Sequence, residues 1–124
     1  MAKEASLRLI LDSLNAAGES PEKTLDETLD LSGYKSITPG QRIALAAAAS
    51  DEAVTFTDVI GLVVMSHDNP FSIRLAAGET LVANQRLFVI WANDEDTGAI
   101  QTSVLLTGNG VNEADIEVWK IEAP

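Results

Sequence analysis

The sequence contains no cysteine and one histidine, His67. Disulfide frameworks, cysteine nucleophiles and thiolate metal sites are therefore excluded, and so are metal sites built from several histidines. Basic residues are also scarce, because eight lysines and arginines stand against nineteen acidic residues, which gives a net charge of −11. Nucleic acid and anionic membrane surfaces attract basic faces, so we expect neither of them as a partner.

Long apolar runs are missing as well. The longest, at 59–65, has seven residues, whereas a membrane-spanning helix needs about twenty. Near the amino terminus Arg8 and Asp12 interrupt any apolar export signal, so we expect a protein made in a cytoplasm. Hydrophobic residues form 46% of the chain and charged residues 22%, as in ordinary globular proteins, and the length predicts a single domain over residues 1–124.

Short apolar segments separated by turn residues characterise the chain after residue 53. Phe71, Ile73 and Leu75 alternate with polar or small residues, which is typical of a strand with one buried face. The dense apolar run at 86–92 predicts a strand buried on both faces, and 59–65, which carries no charge, is expected to be buried or interfacial. Further strands are predicted at 102–107 and 115–121. Strands at this regular spacing predict an all-β fold, an antiparallel sandwich or jelly roll of about seven or eight strands.

Three segments nearer the amino terminus are harder to assign. The spacing of apolar residues in 6–13 fits a strand and equally a helix. Residues 25–31 follow a polar turn at 18–23 and alternate with a period of two, which predicts a half-buried strand. The alanine-rich piece 41–49 has high helix propensity, yet isolated helices of this length are marginal in water, so helix and strand both stay open.

The chain offers few groups suited to catalysis or metal binding. Its carboxylates fall in turns or on outward faces of predicted strands, whereas acid–base catalysis needs one carboxyl in an apolar pocket. His67 lies near Ser66 and Ser72, but no Gly-x-Ser-x-Gly turn is present to expose a serine nucleophile. The acidic loop 93–98 lacks the pattern of a calcium-binding EF-hand loop. We therefore predict no catalytic residue, no metal ligand and no cofactor, and a protein that is not an enzyme.

The two tryptophans are the residues best suited to contact a partner. Trp91 lies within an apolar run and is expected in the core. Trp119 shares its parity with Asp115 and Glu117, opposite the apolar residues of the same strand, so it is expected at the surface or in an interface. An exposed Trp119 or Tyr34 could also stack on a sugar ring, which makes a carbohydrate-binding module the alternative hypothesis.

Four segments occur in an informative order. They are the apolar stretch 58–66 ending in a serine, the turn and alternating strand 68–75, the polar turn and apolar strand 78–92 ending near an aromatic residue, and the strand pair 100–119 around Gly-Asn-Gly. This order resembles a small β-sandwich found among virion proteins of tailed bacteriophages. The resemblance runs from about Phe56 to Ile121, a little over half of the chain.

The resemblance implies a structural role, that of a capsid decoration or cement protein that binds the outer shell and stabilises it. The implied partner is the major capsid protein, the implied location is the virion, assembled in the host cytoplasm, and self-association as a trimer is expected. Strands are favoured at 6–13 and 42–48, with residues 1–20 as an extended arm or the first strand. The alternative is a tail- or fibre-associated module that binds carbohydrate or another receptor. The residues expected at an interface are Trp119, Tyr34, Asp51, Glu52, Asp94, Glu95 and Asp96.

Overall fold

The computed structural model describes residues 4–14, 21–32, 36–56, 59–91 and 103–122. These residues form ten strands. The described ranges contain no helix of the length and apolarity that crossing a membrane requires. The strands are β1 (Glu4–Leu14), β2 (Pro21–Ser32), β3 (Ser36–Leu45), β4 (Glu52–Thr55), β5 (Val59–Ser66), β6 (Phe71–Arg74), β7 (Val82–Gln85), β8 (Leu87–Trp91), β9 (Ser103–Thr107) and β10 (Ala114–Glu122).

Eight of these strands form two four-stranded antiparallel sheets. The β10 sheet has the strand order β3-β10-β5-β8, and the β9 sheet has the order β4-β9-β6-β7. Apolar residues of both sheets, such as Ile116 of β10 and Phe71 of β6, share one buried cluster, so the sheets pack face to face. The prediction of an all-β antiparallel sandwich is confirmed, although the described residues hold ten strands rather than seven or eight.

Alternation along the strands decides which side chains reach this core. In β5, Leu62 and Val64 are fully buried between the sheets, whereas Val63 and Met65 lie on the other side and are half-buried. A strand with one face towards the core shows this period of two. The expectation that 59–65 is buried is confirmed for most of its residues.

The prediction that 86–92 is buried on both faces is wrong. None of the five residues of β8 is fully buried, and Leu87 keeps 51% of its surface exposed. Among the described strands β8 pairs only with β5, so it lies at the margin of the β10 sheet with one face turned away from the core. Apolar composition alone does not distinguish a strand buried on both faces from one with an exposed apolar face.

The alanine-rich piece is a strand that ends in a turn, and it is not a helix. β3 stops just before the turn 46–49, in which the N–H of Ala49 donates to the carbonyl oxygen of Ala46 at 3.0 Å. Gly108 packs against this turn so closely that a Cβ there would lie 2.2 Å from the Ala46 oxygen. Pairing with β10 satisfies the backbone of β3 as far as Leu45, and the four alanines 46–49 fall in the turn beyond it. The strand favoured at 42–48 therefore ends three residues earlier than expected.

β1 and β2 form a separate two-stranded antiparallel sheet, which we call the ribbon. They pair with each other along nearly their whole length and with no other described strand. The register sets Leu7 opposite Leu29 and Leu11 opposite Leu25. The ribbon therefore extends from the sandwich as an element of its own.

The ribbon confirms some predictions and corrects others. The strand favoured at 6–13 is present, so the first of the ambiguous segments is a strand. Of the turn predicted at 18–23, residues 21–23 belong to β2, and 18–20 lie outside the described residues. The half-buried assignment of 25–31 is wrong, since the side chains from Leu25 to Asp30 are all exposed. The alternating pattern is real, but β2 does not lie on the core.

Candidate functional site

The ribbon has two chemically different faces because side chains alternate along each strand. One face, which we call the leucine face, carries Leu7, Leu9 and Leu11 of β1 together with Leu25 and Leu29 of β2. Leu11 keeps 67% of its surface exposed, and the two leucines of β2 are exposed as well. Leu7 and Leu9 are half-buried, and Glu27 lies on the same face opposite Leu9. Exposed leucines grouped on one face mark a candidate docking surface.

The opposite face of the ribbon, its polar face, holds the two strands together by hydrogen bonds. The Arg8 guanidinium donates to both carboxylate oxygens of Asp26, at 3.1 and 3.0 Å. Ser6 Oγ donates to Oδ1 of Asp30 at 2.6 Å. The hydrogen bond to Asp26 raises the pKa of Arg8 further above its usual value. These contacts define which side of the ribbon meets water or a polar partner.

The base of the ribbon rests on the outer face of the β10 sheet, the side turned away from the core. Ala5 packs against Ile60 and Ile121 together with Trp91. A cavity of about 260 Å³ lies at this seam. It is lined by Ala5, Ser6 and Leu7 of the ribbon and by Gly61, Val63, Trp91, Trp119 and Ile121 of the sheet. The leucine face therefore begins, through Ala5 and Leu7, in contact with the apolar part of the sheet.

The outer face of the β10 sheet continues beyond this seam as an apolar surface. Val63 pairs with Val89 on one side and with Trp119 on the other, and Met65 pairs with Leu87. We call these five residues the outer patch. Trp119 keeps 38% of its surface exposed at one side of the patch. An apolar sheet face of this kind is typical of surfaces that another element covers.

Glu117 is the centre of a polar network beside the outer patch. Its Oε2 accepts a hydrogen bond from Nε1 of Trp119 at 2.6 Å. Its Oε1 accepts from Nε2 of His67 at 2.8 Å and from Nη1 of Arg42 at 3.3 Å. Arg42 in turn donates to both carboxylate oxygens of Asp115. The hydrogen bonds from Trp119 and then from His67 lower the pKa of Glu117, so the carboxylate stays ionised and fixes the indole.

The residues considered for nucleophilic catalysis have separate partners. Ser66 Oγ donates to the carbonyl oxygen of Asn69, whereas His67 faces the network just described. Oδ1 of Asp68 accepts from the N–H of Asp115 at 2.9 Å and from that of Asn69 at 2.6 Å, which lowers the pKa of Asp68. In the part of the chain that the structure describes, no three acidic, cysteine or histidine side chains are placed to hold a metal ion.

Three of the predicted interface residues lie in described parts of the chain. Trp119 is at the surface, as expected. Asp51 is half-buried and binds the guanidinium of Arg74 with both carboxylate oxygens, and Glu52 is exposed at the start of β4. These two acidic residues adjoin the β9 sheet, so the structure does not bring them onto the surface that holds Trp119. The other four, Tyr34, Asp94, Glu95 and Asp96, lie outside the described residues.

Sequence reasoning missed the leucine face and misplaced Trp91. Trp91 lines the cavity on the outer face of the sheet and packs against the small cluster of Ile60 and Ile121 instead of the main core. Its buried Nε1 has no hydrogen-bond partner among the described residues. The signal for the leucine face was the recurrence of leucines at alternate positions, 7, 9 and 11, and again at 25 and 29. At 25–31 that pattern predicts a half-buried strand, whereas at 6–13 it leaves strand and helix both open. Alternation by itself predicts an apolar face and not what covers it.

Comparison of the chain with models of protein families and with curated proteins found no match. The ribbon, the outer patch and the network around Glu117 are therefore the features from which a function is inferred. The first two are apolar surfaces suited to protein contacts, and the third fixes a tryptophan at the side of one of them.

Proposed function

We propose that this chain is a structural protein of a tailed-bacteriophage virion, a decoration protein that binds the outer shell of the capsid and stabilises it. The observation that carries the proposal is the ribbon, whose strands of 11 and 12 residues pair with no other described strand. A two-stranded ribbon is marginally stable in water by itself, so it is typical of a protein that works in contact with other subunits. The resemblance of 56–121 to phage virion sandwiches supports the same class.

The acidity of the ribbon supplies the chemistry of docking. The two strands together contain six acidic residues and two basic ones, and Asp26 and Asp30 lie on the polar face. The complementary partner is a basic surface on the shell protein, and attraction of this kind is screened by salt. Because a shell offers many equivalent sites, occupancy of those sites shifts the assembly equilibrium towards the complete shell.

Co-sedimentation tests the proposal. The purified chain is mixed with mature heads, and separately with tails, of the phage that encodes it, and each mixture is run on a density gradient at low and at high salt. We expect migration with heads at a saturating ratio per shell, weakened at high salt. Migration with tails alone, or with neither particle, would overturn the assignment to the capsid.

A pair of charge reversals tests the role of the ribbon in that binding. Asp30→Lys on the polar face should weaken head binding by about tenfold, because it places a cation against a basic surface. Glu79→Lys changes the net charge equally at an exposed position between β6 and β7, and it should alter binding by less than about twofold. Equal losses in both variants would show that net charge, and not the ribbon, sets the affinity.

A carbohydrate-binding module is the second candidate, and the position of Trp119 beside the cavity favours it. The lining contains one hydroxyl, that of Ser6, which already donates to Asp30, whereas a sugar site needs several polar groups. Tryptophan fluorescence titrated with a panel of sugars separates the candidates. A saturable change that disappears in Trp119→Phe would support sugar binding, and no change alongside head binding would support the decoration role.

A further inference from the structure

We propose that the leucine face of one ribbon covers the outer patch of a second copy of this chain, and that two copies exchange this contact reciprocally around a two-fold axis. The proposal does not depend on a virion shell. It starts from two exposed apolar surfaces on the same chain, represented by Leu11 on the ribbon and Leu87 on the sheet. Each surface has the chemistry that would cover the other.

The first reason is continuity with a contact that the chain already makes. At its base the leucine face lies against the outer face of its own sheet through Ala5 and Leu7. Exposure then rises along the ribbon, from half-buried at Leu7 and Leu9 to mostly exposed at Leu11. The same two surfaces therefore touch within one chain at the base of the ribbon, and both are exposed beyond that contact.

The second reason is the area that each arrangement buries. The leucine face from Leu7 to Leu11 is roughly 14 Å long and 10 Å wide, from the rise per residue and strand spacing of a sheet. A reciprocal exchange buries two ribbon faces and two sheet faces, in total about 600 Å², the size of a weak and transient contact. Two ribbons that packed against each other would bury about half of that area. In a ring of three copies, each contact between neighbours would also bury about half of it. The two-fold exchange is favoured over both.

Charge determines how this association responds to salt. Two chains that each carry −11 repel each other, and the repulsion is screened as ionic strength rises. Self-association should therefore strengthen with salt, whereas docking on a basic shell should weaken. The two proposals predict opposite salt dependences, so either can fail while the other stands.

Sedimentation velocity of the purified chain over a range of concentrations gives the first test. We expect a monomer–dimer equilibrium whose dimer fraction rises between low and high salt. A monomer at every concentration, or a species of three copies, overturns the two-fold exchange. This measurement uses the chain alone and is independent of head binding.

Matched lysine variants identify the surfaces. Leu11→Lys and Leu87→Lys should each weaken the dimer by about tenfold or more, because each buries a charge in the contact. Ile10→Lys is the control for the first, since Ile10 is 56% exposed on the other face of the ribbon. Val111→Lys is the control for the second, at a position that is 77% exposed. Equal effects in variants and controls contradict the assignment, and circular dichroism checks that all four fold.

A variant that strengthens the contact excludes misfolding as the explanation. Glu27 lies on the leucine face opposite Leu9, where its charge opposes burial. Glu27→Gln should therefore tighten the dimer several-fold, and Glu79→Gln, which removes an equal charge elsewhere, should not. Equal tightening in both would assign the effect to net charge and count against the leucine face.

Cross-linking tests the geometry directly, because the chain has no cysteine of its own. Leu11→Cys and Leu87→Cys are made as separate variants and oxidised singly and as a mixture. The exchange predicts a disulfide-linked dimer that forms much faster in the mixture than in either variant alone, since only then do the two thiols face each other. Fastest cross-linking of Leu11→Cys with itself would establish ribbon-on-ribbon packing and overturn the proposal.

Discussion

The indole of Trp119 donates its Nε1 hydrogen to Glu117, two residues earlier on the same face of β10, at 2.6 Å. Strand alternation places both side chains on the outer face, and the acceptor is ionised because its own hydrogen bonds lower its pKa. A charged residue thereby fixes the orientation of an exposed tryptophan beside an apolar patch. The arrangement links the polar network to the surface that we propose as an interface.

The pH dependence of stability should reveal this contact. The pKa of Glu117 is lower in the folded chain than in the unfolded one, so ionised Glu117 stabilises the fold above its unfolded pKa of about 4.3. That contribution is lost as the pH falls through the folded value. Glu117→Gln should therefore have a lower Tm than the parent chain near neutral pH, and the difference should shrink below about pH 4.

Thermal unfolding of both proteins between neutral and acid pH measures that difference. Glu113→Gln is the control, because Glu113 is exposed and its backbone carbonyl, which the substitution keeps, accepts the hydrogen bond from Asn69. Its Tm should follow that of the parent chain at every pH. A difference for Glu117→Gln that stays constant or widens on acidification would contradict the proposed role of the ionised carboxylate.

Gly108→Ala should strongly destabilise the sandwich. The new Cβ would lie 2.2 Å from the carbonyl oxygen of Ala46, and backbone cannot give way as a flexible side chain can. We expect a loss of about 3 kcal/mol, the upper range for overpacking. Urea unfolding measures it, with Gly78→Ala as the comparison.

Gly78 has a φ of +87° and nothing within 4 Å of an added Cβ, so alanine there meets backbone strain alone. Its cost should be about 1–2 kcal/mol. A Gly108→Ala protein as stable as Gly78→Ala would mean that the turn 46–49 moves aside.

Leu105 and Leu106 should differ sharply in their tolerance of alanine. Leu106 is fully buried between the sheets, whereas its neighbour Leu105 lies on the other face of β9 and is half-buried. Leu106→Ala should cost about 3 kcal/mol through lost burial and the cavity left behind, and Leu105→Ala about 1 kcal/mol. Chemical denaturation measures the free energy of unfolding of both variants. Equal losses would contradict the assignment of Leu106, and not Leu105, to the core face of β9.

Asp51 should show two separable contributions. It binds Arg74 with both carboxylate oxygens and has a φ of 51°, in the left-handed region that asparagine tolerates and alanine does not. Asp51→Asn should cost less than about 1 kcal/mol, as expected for a partly exposed ion pair. Asp51→Ala should cost about 1 kcal/mol more because of the backbone. Urea unfolding at low and high salt checks both, since only the ion pair responds to salt.

Local patterns in the sequence were sufficient for most strands of the sandwich. Phe71 and Ile73 alternate with Ser72 and Arg74, and this period of two requires no knowledge of the partner strand to predict β6. The turn around 108–110 was readable for the same reason. Strand pairing could not be predicted from local patterns. The secondary structure of 41–49 and of 6–13 was therefore left open, because it depended on pairing with β10 and with β2.

The sequence by itself determined the all-β class, the acidic charge and the alternation of faces, because these depend on residue types and on neighbours in the chain. Tertiary structure alone decided what covers each apolar face. The leucines at 25 and 29 and the apolar run 87–91 have the composition of core strands. Yet both leucines are exposed, and only Phe88 and Ile90 of that run pack against the main core. Burial is a property of what packs against a strand, and the surface that packs there need not belong to the same molecule.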